Sequence, residues 1–249
     1  MSPFKDHFSE QSKGYSKYRP HYPNELYQYL SGLCTGHDLA WDCATGTGQA
    51  ARGLSKFFDH VVATDGSEKQ ISRATGPKNI SFRVARAEQS PLESSVTDLI
   101  TVAQALHWFS HDDFFREAKR VLKPGGILAV WTYNLLHIRP DIDEIIQKLD
   151  QDIVGEYWPP ERQYVREDYT TIEFPFDEIK GMPPYNMTAL WALDDLIGYL
   201  RTWSSVVRYK ADRGGDPLEE IIPDLRVLWG DVAVQKSVQW PLTIRAGRF

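Results

Sequence analysis

The sequence predicts an α/β fold, a doubly wound and mostly parallel sheet, on three observations. Short β-branched or aromatic runs alternate strictly with helical patterns as far as residue 133. Four of the five runs carry apolar residues on both faces, as strands covered by helices on each side must. The first run ends in an acidic residue and a glycine-rich turn, the place where open α/β sheets bind ligands. The runs are "DLAWDC" (38–43), "HVVATD" (60–65), "ISFRVA" (80–85), "TDLITVAQA" (97–105) and "ILAVWTY" (127–133). Between them "GQAARGLSKFF", "SEKQISRA" and "DDFFREAKRVL" read as helices, the last stopped by "KPGG".

Beyond Tyr133 the pattern changes. "DIDEIIQKLDQDIV" is helical, "EYWPPERQYVRED" reads as a proline- and charge-rich loop, "NMTALWAL" as a strand, and "DDLIGYLRTWSSVVRY" as one helix. "KSVQWPLTI" is expected to be a last strand, with Pro241 marking an edge or bulged position. The chain is therefore expected to form a single domain over 1–249, with residues 134–180 an insertion that covers the substrate side, a C-terminal lid.

With 249 residues, 42% of them hydrophobic and 25% charged, the chain can bury a full core. No apolar run approaches the ~20 residues of a membrane span, and "MSPFKDHFSE" lacks the apolar centre of a secretory signal. A soluble cytoplasmic protein without a membrane partner is expected. Cys34 and Cys43 form neither a CxxC pair nor a zinc-spaced set, so no disulfide framework is expected. A net charge of -6 without a basic block argues against nucleic acid. His107 and His111 stand four apart, but Asp112 and Asp113 fit a helix first turn better than a metal site, so no metal is expected. Small-molecule chemistry remains.

The spacing Gly46, Gly48, Ala51, with Asp65 at 65 − 46 = 19 residues from Gly46, also fits a dinucleotide fingerprint. Asp42 opposes that reading. A pyrophosphate at the helix N-terminus would meet its carboxylate, and like charges ~5 Å apart cost roughly 3 kcal/mol at an effective dielectric near 20. A ligand that is cationic at that end and carries a ribose diol at the other, as S-adenosylmethionine does, gives Asp42 and Asp65 each a partner.

The same residues resemble a known family. Asp42, Ala44, Gly46 and Gly48 after strand one look like the first motif of class I S-adenosylmethionine-dependent methyltransferases, which have a Rossmann-like fold. Asp65-Gly66-Ser67, Ala87-Glu88, "QALHWF" and "RVLKPGGILAVW" are similar to the later motifs, in order. The "YRPxYP" and "HWF" stretches resemble the type 11 methyltransferases related to trans-aconitate methyltransferase. Ala44 departs from the commoner glycine, and alanine is ill suited to a positive φ.

The resemblance implies roles. Ala44, Gly46 and Gly48 bring backbone to the methionine moiety. Asp65, with Gly66 and Ser67, holds the ribose hydroxyls; Ala87 and Glu88 flank the adenine. Gln104 and Ala105 line the path to the methyl group. Tyr18 and Arg19 cover the cofactor, Arg19 pairing with its carboxylate.

Methyl transfer from a sulfonium needs alignment and exclusion of water rather than a triad, so no catalytic residue is assigned. Only an acceptor that must lose a proton, such as an amine or phenol, needs a base. Trp108 and His107 form a pair of neutral polar groups suited to a carboxylate, which favours O-methylation of a small carboxylic acid. Tyr133, Asn134 and Trp203 are expected to complete the pocket, Trp203 through the "YLRTWS" resemblance. A phenol or amine acceptor, a non-catalytic S-adenosylmethionine-binding protein and an NAD-dependent oxidoreductase stay open as alternatives.

Overall fold

The computed structural model describes Tyr18 and residues 20–249; Arg19 lies outside the described residues. Five strands run parallel: β1 (Leu39–Cys43), β2 (His60–Asp65), β3 (Ile80–Val84), β4 (Thr97–Ala103) and β5 (Leu122–Tyr133). They stand in the order β3-β2-β1-β4-β5, so the chain reverses its direction of travel between β1 and β4. β6 (Asp177–Glu178) and β7 (Tyr185–Trp191) both pair antiparallel with β8 (Lys236–Arg248), which itself lies antiparallel to β5. β8 is the one described strand that runs against the rest.

Period-two alternation divides the central strands between two cores. Ala40, Leu99, Ala129 and Trp131 face the side of α1 (Asn24–Gly32) and α2 (Gln49–Leu54). Trp41, Cys43, Ile100, Val102, Leu128 and Val130 face α4 (His111–Val121), through Phe114, Phe115 and Ala118. The short α3 (Glu68–Ile71) follows β2. Burial on both faces is the physical reason these strands read as continuous apolar runs.

After β5 the chain forms α5 (Pro140–Lys148), a π-turn over Leu149–Ile153, and then α6 (Arg162–Arg166), before rejoining the sheet at β6. α6 lies within the stretch expected to be loop. α7 (Leu193–Leu200), α8 (Ser204–Arg213) and α9 (Ile222–Trp229) follow β7. The single helix expected from residue 194 is therefore two. The break over 201–203 turns Trp203 inward, where it is buried, and Thr202 Oγ1 donates to the Tyr199 carbonyl at 2.6 Å.

β8 is interior rather than an edge, yet Pro241 fits. It registers with Asn186 of β7, and the pairing with β5 begins only at Leu242, so no β5 partner stands opposite its missing N–H. No helix among the described residues is long and apolar enough to cross a membrane.

Candidate active site

The loop between β1 and α2 contains three left-handed residues, Ala44 (φ 56°), Gly46 (φ 57°) and Gly48 (φ 88°). The two glycines adopt this at little cost, whereas Ala44, standing where glycine is commoner, is strained by it. The glycines also differ in surroundings. A Cβ on Gly48 would lie 2.7 Å from the Phe82 ring, so Gly48 admits a neighbouring side chain; a Cβ on Gly46 would meet nothing within 4 Å. Gly46 is thus where the loop faces open space.

Asp42 does not face that space. It is fully buried, and its carboxylate accepts from Thr45 Oγ1 (2.5 Å), the Ala51 amide (2.9 Å) and Thr101 Oγ1 (2.9 Å). This corrects the expectation of direct contact with a cationic ligand. Asp42 instead ties the loop, the start of α2 and strand β4 together. Burial raises its pKa from 3.8 to about 6, opposed by these three donors and aided by the charge of Asp65.

Asp65, half-buried at the end of β2, accepts from the Gly46 amide at 2.9 Å and the Ser67 amide at 2.8 Å. It therefore holds two loops in register. Ser67 caps α3, and Gly66 lies between these two groups. Ala87 is buried beyond β3; the neighbouring Glu88 lies 3.5 Å from Arg86 and accepts from the Ser110 amide at 3.2 Å. Burial first, and then the charges of Asp42, Asp65 and Glu88, push the Cys43 thiol well above its usual range. Three carboxylates thus act on one strand end. That field suits a cationic ligand bearing a diol and opposes a pyrophosphate.

At the ends of β4 and β5, Gln104 (φ 55°) is consumed by structure. Its Oε1 accepts from Thr132 Oγ1 (2.7 Å) and the Tyr133 amide (2.9 Å), and its Nε2 donates to the Tyr133 carbonyl (3.1 Å). The side chain fastens β4 to β5, while Ala105 beside it is buried. Leu106–Trp108 form a 3-10 turn in which the His107 and Trp108 rings lie 4.7 Å apart. His107 is buried, with Nδ1 2.8 Å from the Tyr169 hydroxyl. Two consecutive left-handed residues, Asp168 (φ 52°) and Tyr169 (φ 59°), turn the chain there. Burial, with help from Arg162 and His111, lowers the His107 pKa to about 3. His111 points elsewhere, its Nε2 3.1 Å from the Leu106 carbonyl.

The residues after β5 meet the C-terminal helices through a side chain that sequence reasoning missed. Arg162 Nη2 donates to Asn134 Oδ1 at 2.8 Å, its guanidinium lies 4.6 Å from the Trp158 ring, and Trp158 lies 5.6 Å from Trp203. Tyr133 is buried beside Asn134. On the opposite side Gln49 Nε2 donates to the Pro20 carbonyl at 2.8 Å, and Tyr18 packs against Gly198 of α7. Thr45, Thr101, Trp158, Arg162 and Tyr169 carried no motif; Thr101 alone had a signal, as a polar residue inside a buried strand.

A parallel sheet whose order reverses at β1, with an acid-lined strand-end loop and one antiparallel strand among the described residues, defines a class I methyltransferase fold. A model described as a methyltransferase domain matches residues 41–130. A Dictyostelium discoideum protein named as a methyltransferase is 36% identical over 222 residues, covering 88% of this chain and 84% of that one. The structure of a protein titled a type II methyltransferase, from Anaeromyxobacter dehalogenans, superposes with a TM-score of 0.87 at 40% identity, over 92% of this chain and 97% of that one. A Bacillus halodurans methyltransferase structure, 20% identical with a TM-score of 0.54 over 90% and 97% of the two chains, shares the fold. The chain belongs to the class I S-adenosylmethionine-dependent methyltransferases, and S-adenosylmethionine is its methyl donor.

Proposed function

We propose that this enzyme O-methylates a small carboxylic acid. The observation that carries the reading is the state of His107, the imidazole that follows β4. It is sealed from solvent, with Nδ1 at the Tyr169 hydroxyl, and its pKa of about 3 makes it a poor base at neutral pH. An amine or phenol must lose a proton to be methylated; a carboxylate is already ionised at neutral pH.

In this reading S-adenosylmethionine, when bound, supplies an electrophilic methyl group and a neutral thioether leaving group. Gly46 brings its backbone to the methionine moiety and Asp65 accepts from the ribose hydroxyls. Ala87 and Glu88 flank the adenine, and Tyr18 covers the ligand. His107, Trp108, Tyr133, Asn134 and Trp203 line the acceptor pocket, and residues 134–180 exclude water from it.

The test is a screen of small acids beside matched phenols and amines, read as S-adenosylhomocysteine release. Turnover of at least one acid, with kcat flat between pH 6 and 8, is expected. Turnover confined to amines or phenols, rising as their protons leave, would overturn the reading.

A further inference from the structure

We propose that Arg162 is the anion anchor of the acceptor pocket: its guanidinium receives a carboxylate of the methyl acceptor and so selects acidic small molecules. This rests on the carboxylic-acid reading above, and it supplies the fixed charge that His107 and Trp108 lack.

Positive charge is in surplus around Arg162. Its side chain is only 13% exposed, and the carboxylate nearest to it, Asp150, is 3% exposed and 3.9 Å away. Asp150 is closer to a second guanidinium, Arg166, whose Nη2 lies 3.1 Å from Oδ2. Two cations thus share one carboxylate. The other groups that bear on Arg162 electrostatically include the Tyr133, Tyr169 and Tyr199 phenols and His107, whose lowered pKa leaves it neutral. One positive charge is left over in a buried setting, where burial holds the Arg162 guanidinium below its usual range.

Hydrogen bonding tells the same story. A guanidinium carries five N–H donors. The described structure gives the Arg162 guanidinium one hydrogen bond, to Asn134 Oδ1, and its buried Nε has no partner. The Trp158 ring against the guanidinium leaves it poorly hydrated. Buried charges are ordinarily paired and hydrogen-bonded. A structural strut would not need this surplus, whereas an anion site does: it must keep donors and charge in reserve until the ligand arrives. Its position fits that task, since Asn134 follows β5 directly and Trp158 leads to Trp203.

The experiment compares wild type, R162Q and R162K, each with S-adenosylhomocysteine bound. A panel of linear and aromatic carboxylates, each beside its neutral amide, is titrated and followed by tryptophan fluorescence; S-adenosylhomocysteine affinity serves as the folding control. The expected result is that wild type binds at least one acid ~10 to 100-fold more tightly than its amide, the range of a charged hydrogen bond. R162Q abolishes that preference, R162K keeps part of it, and the acceptor-free Tm of R162Q does not fall, because a surplus buried charge has been removed. The proposal is overturned if no acid binds to wild type, if R162Q binds the acid within threefold of wild type, or if R162Q loses acid and amide alike with a lower Tm. The two readings fail separately. An acid that binds through Arg162 but is never methylated ends the carboxyl-transfer reading and leaves the anchor; an acid methylated equally by R162Q ends the anchor and leaves the transfer.

Discussion

Replacing Asp42 by asparagine tests how the cofactor loop is held. The shape survives, because the introduced amide oxygen can take over the bonds from Thr45 and Ala51 while the amide nitrogen faces Thr101, whose hydroxyl turns to accept. What disappears is the titration. The Asp42 carboxyl is raised from 3.8 to about 6, so between these values the folded protein keeps a proton that the unfolded chain has released. Stability contributed at this site therefore falls as pH rises through that window, and the full cost is present above pH 6. At ~1.4 kcal/mol for each pH unit this cost is about 3 kcal/mol, of which a little over 1 kcal/mol develops between pH 5 and 7. Other carboxylates, such as Glu117 with Arg120, have lowered values and shift stability the opposite way, so only the difference between variant and parent isolates Asp42. Urea unfolding of both proteins without cofactor, at pH 5 and pH 7, gives that difference. D42N should gain about 1 kcal/mol on its parent over the interval. An equal difference at the two pH values would refute the claim that Asp42 is a buried acid with a raised pKa.

Two further substitutions probe the cofactor side. Ala44→Gly removes a left-handed alanine (φ 56°); relief of ~1–2 kcal/mol, less ~0.4–1 kcal/mol for the freer unfolded chain, predicts a net gain of about 0.5–1 kcal/mol. A lower urea midpoint would contradict this. Gly198→Ala places a Cβ 2.5 Å from the Tyr18 ring, while alanine improves the helix by up to ~1 kcal/mol. If Tyr18 covers the cofactor, calorimetry should show S-adenosylhomocysteine affinity falling about tenfold, ~1.4 kcal/mol, with Tm unchanged or higher; unaltered affinity would remove Tyr18 from the site.

Legibility followed locality. β2 can be read from the sequence residue for residue, because "HVVATD" combines β-branched residues with a clean acidic end. β5 cannot: it begins at Leu122, five residues before the apolar run, although Pro124, Gly125 and Gly126 are local breakers. Long-range pairing overrides them, Leu122 registering with Thr97 and the Gly125 amide donating to the Phe249 carbonyl at 2.8 Å. In the site, Asp65 was legible because it ends a strand at a fixed distance from the glycines. The position of Gln104 was legible too, but not its use, since the bonds that occupy it come from Thr132 and Tyr133 on another strand. Arg162 was hidden in a stretch without hydrophobic period, and its meaning depends on Asn134, twenty-eight residues earlier.

Asp42 bonded to Thr101, and Gln104 clasping Tyr133, join β1 to β4 and the end of β4 to β5 in one chain of bonds. The residues proposed for the acceptor side, Asn134, Arg162 and Trp203, all lie beyond residue 130, where the match to the shared methyltransferase domain stops. Substitutions at these three positions leave that chain of bonds intact. A lineage built this way can try new acceptors while its chemistry continues to run, and relatives should diverge fastest where the acceptor is chosen.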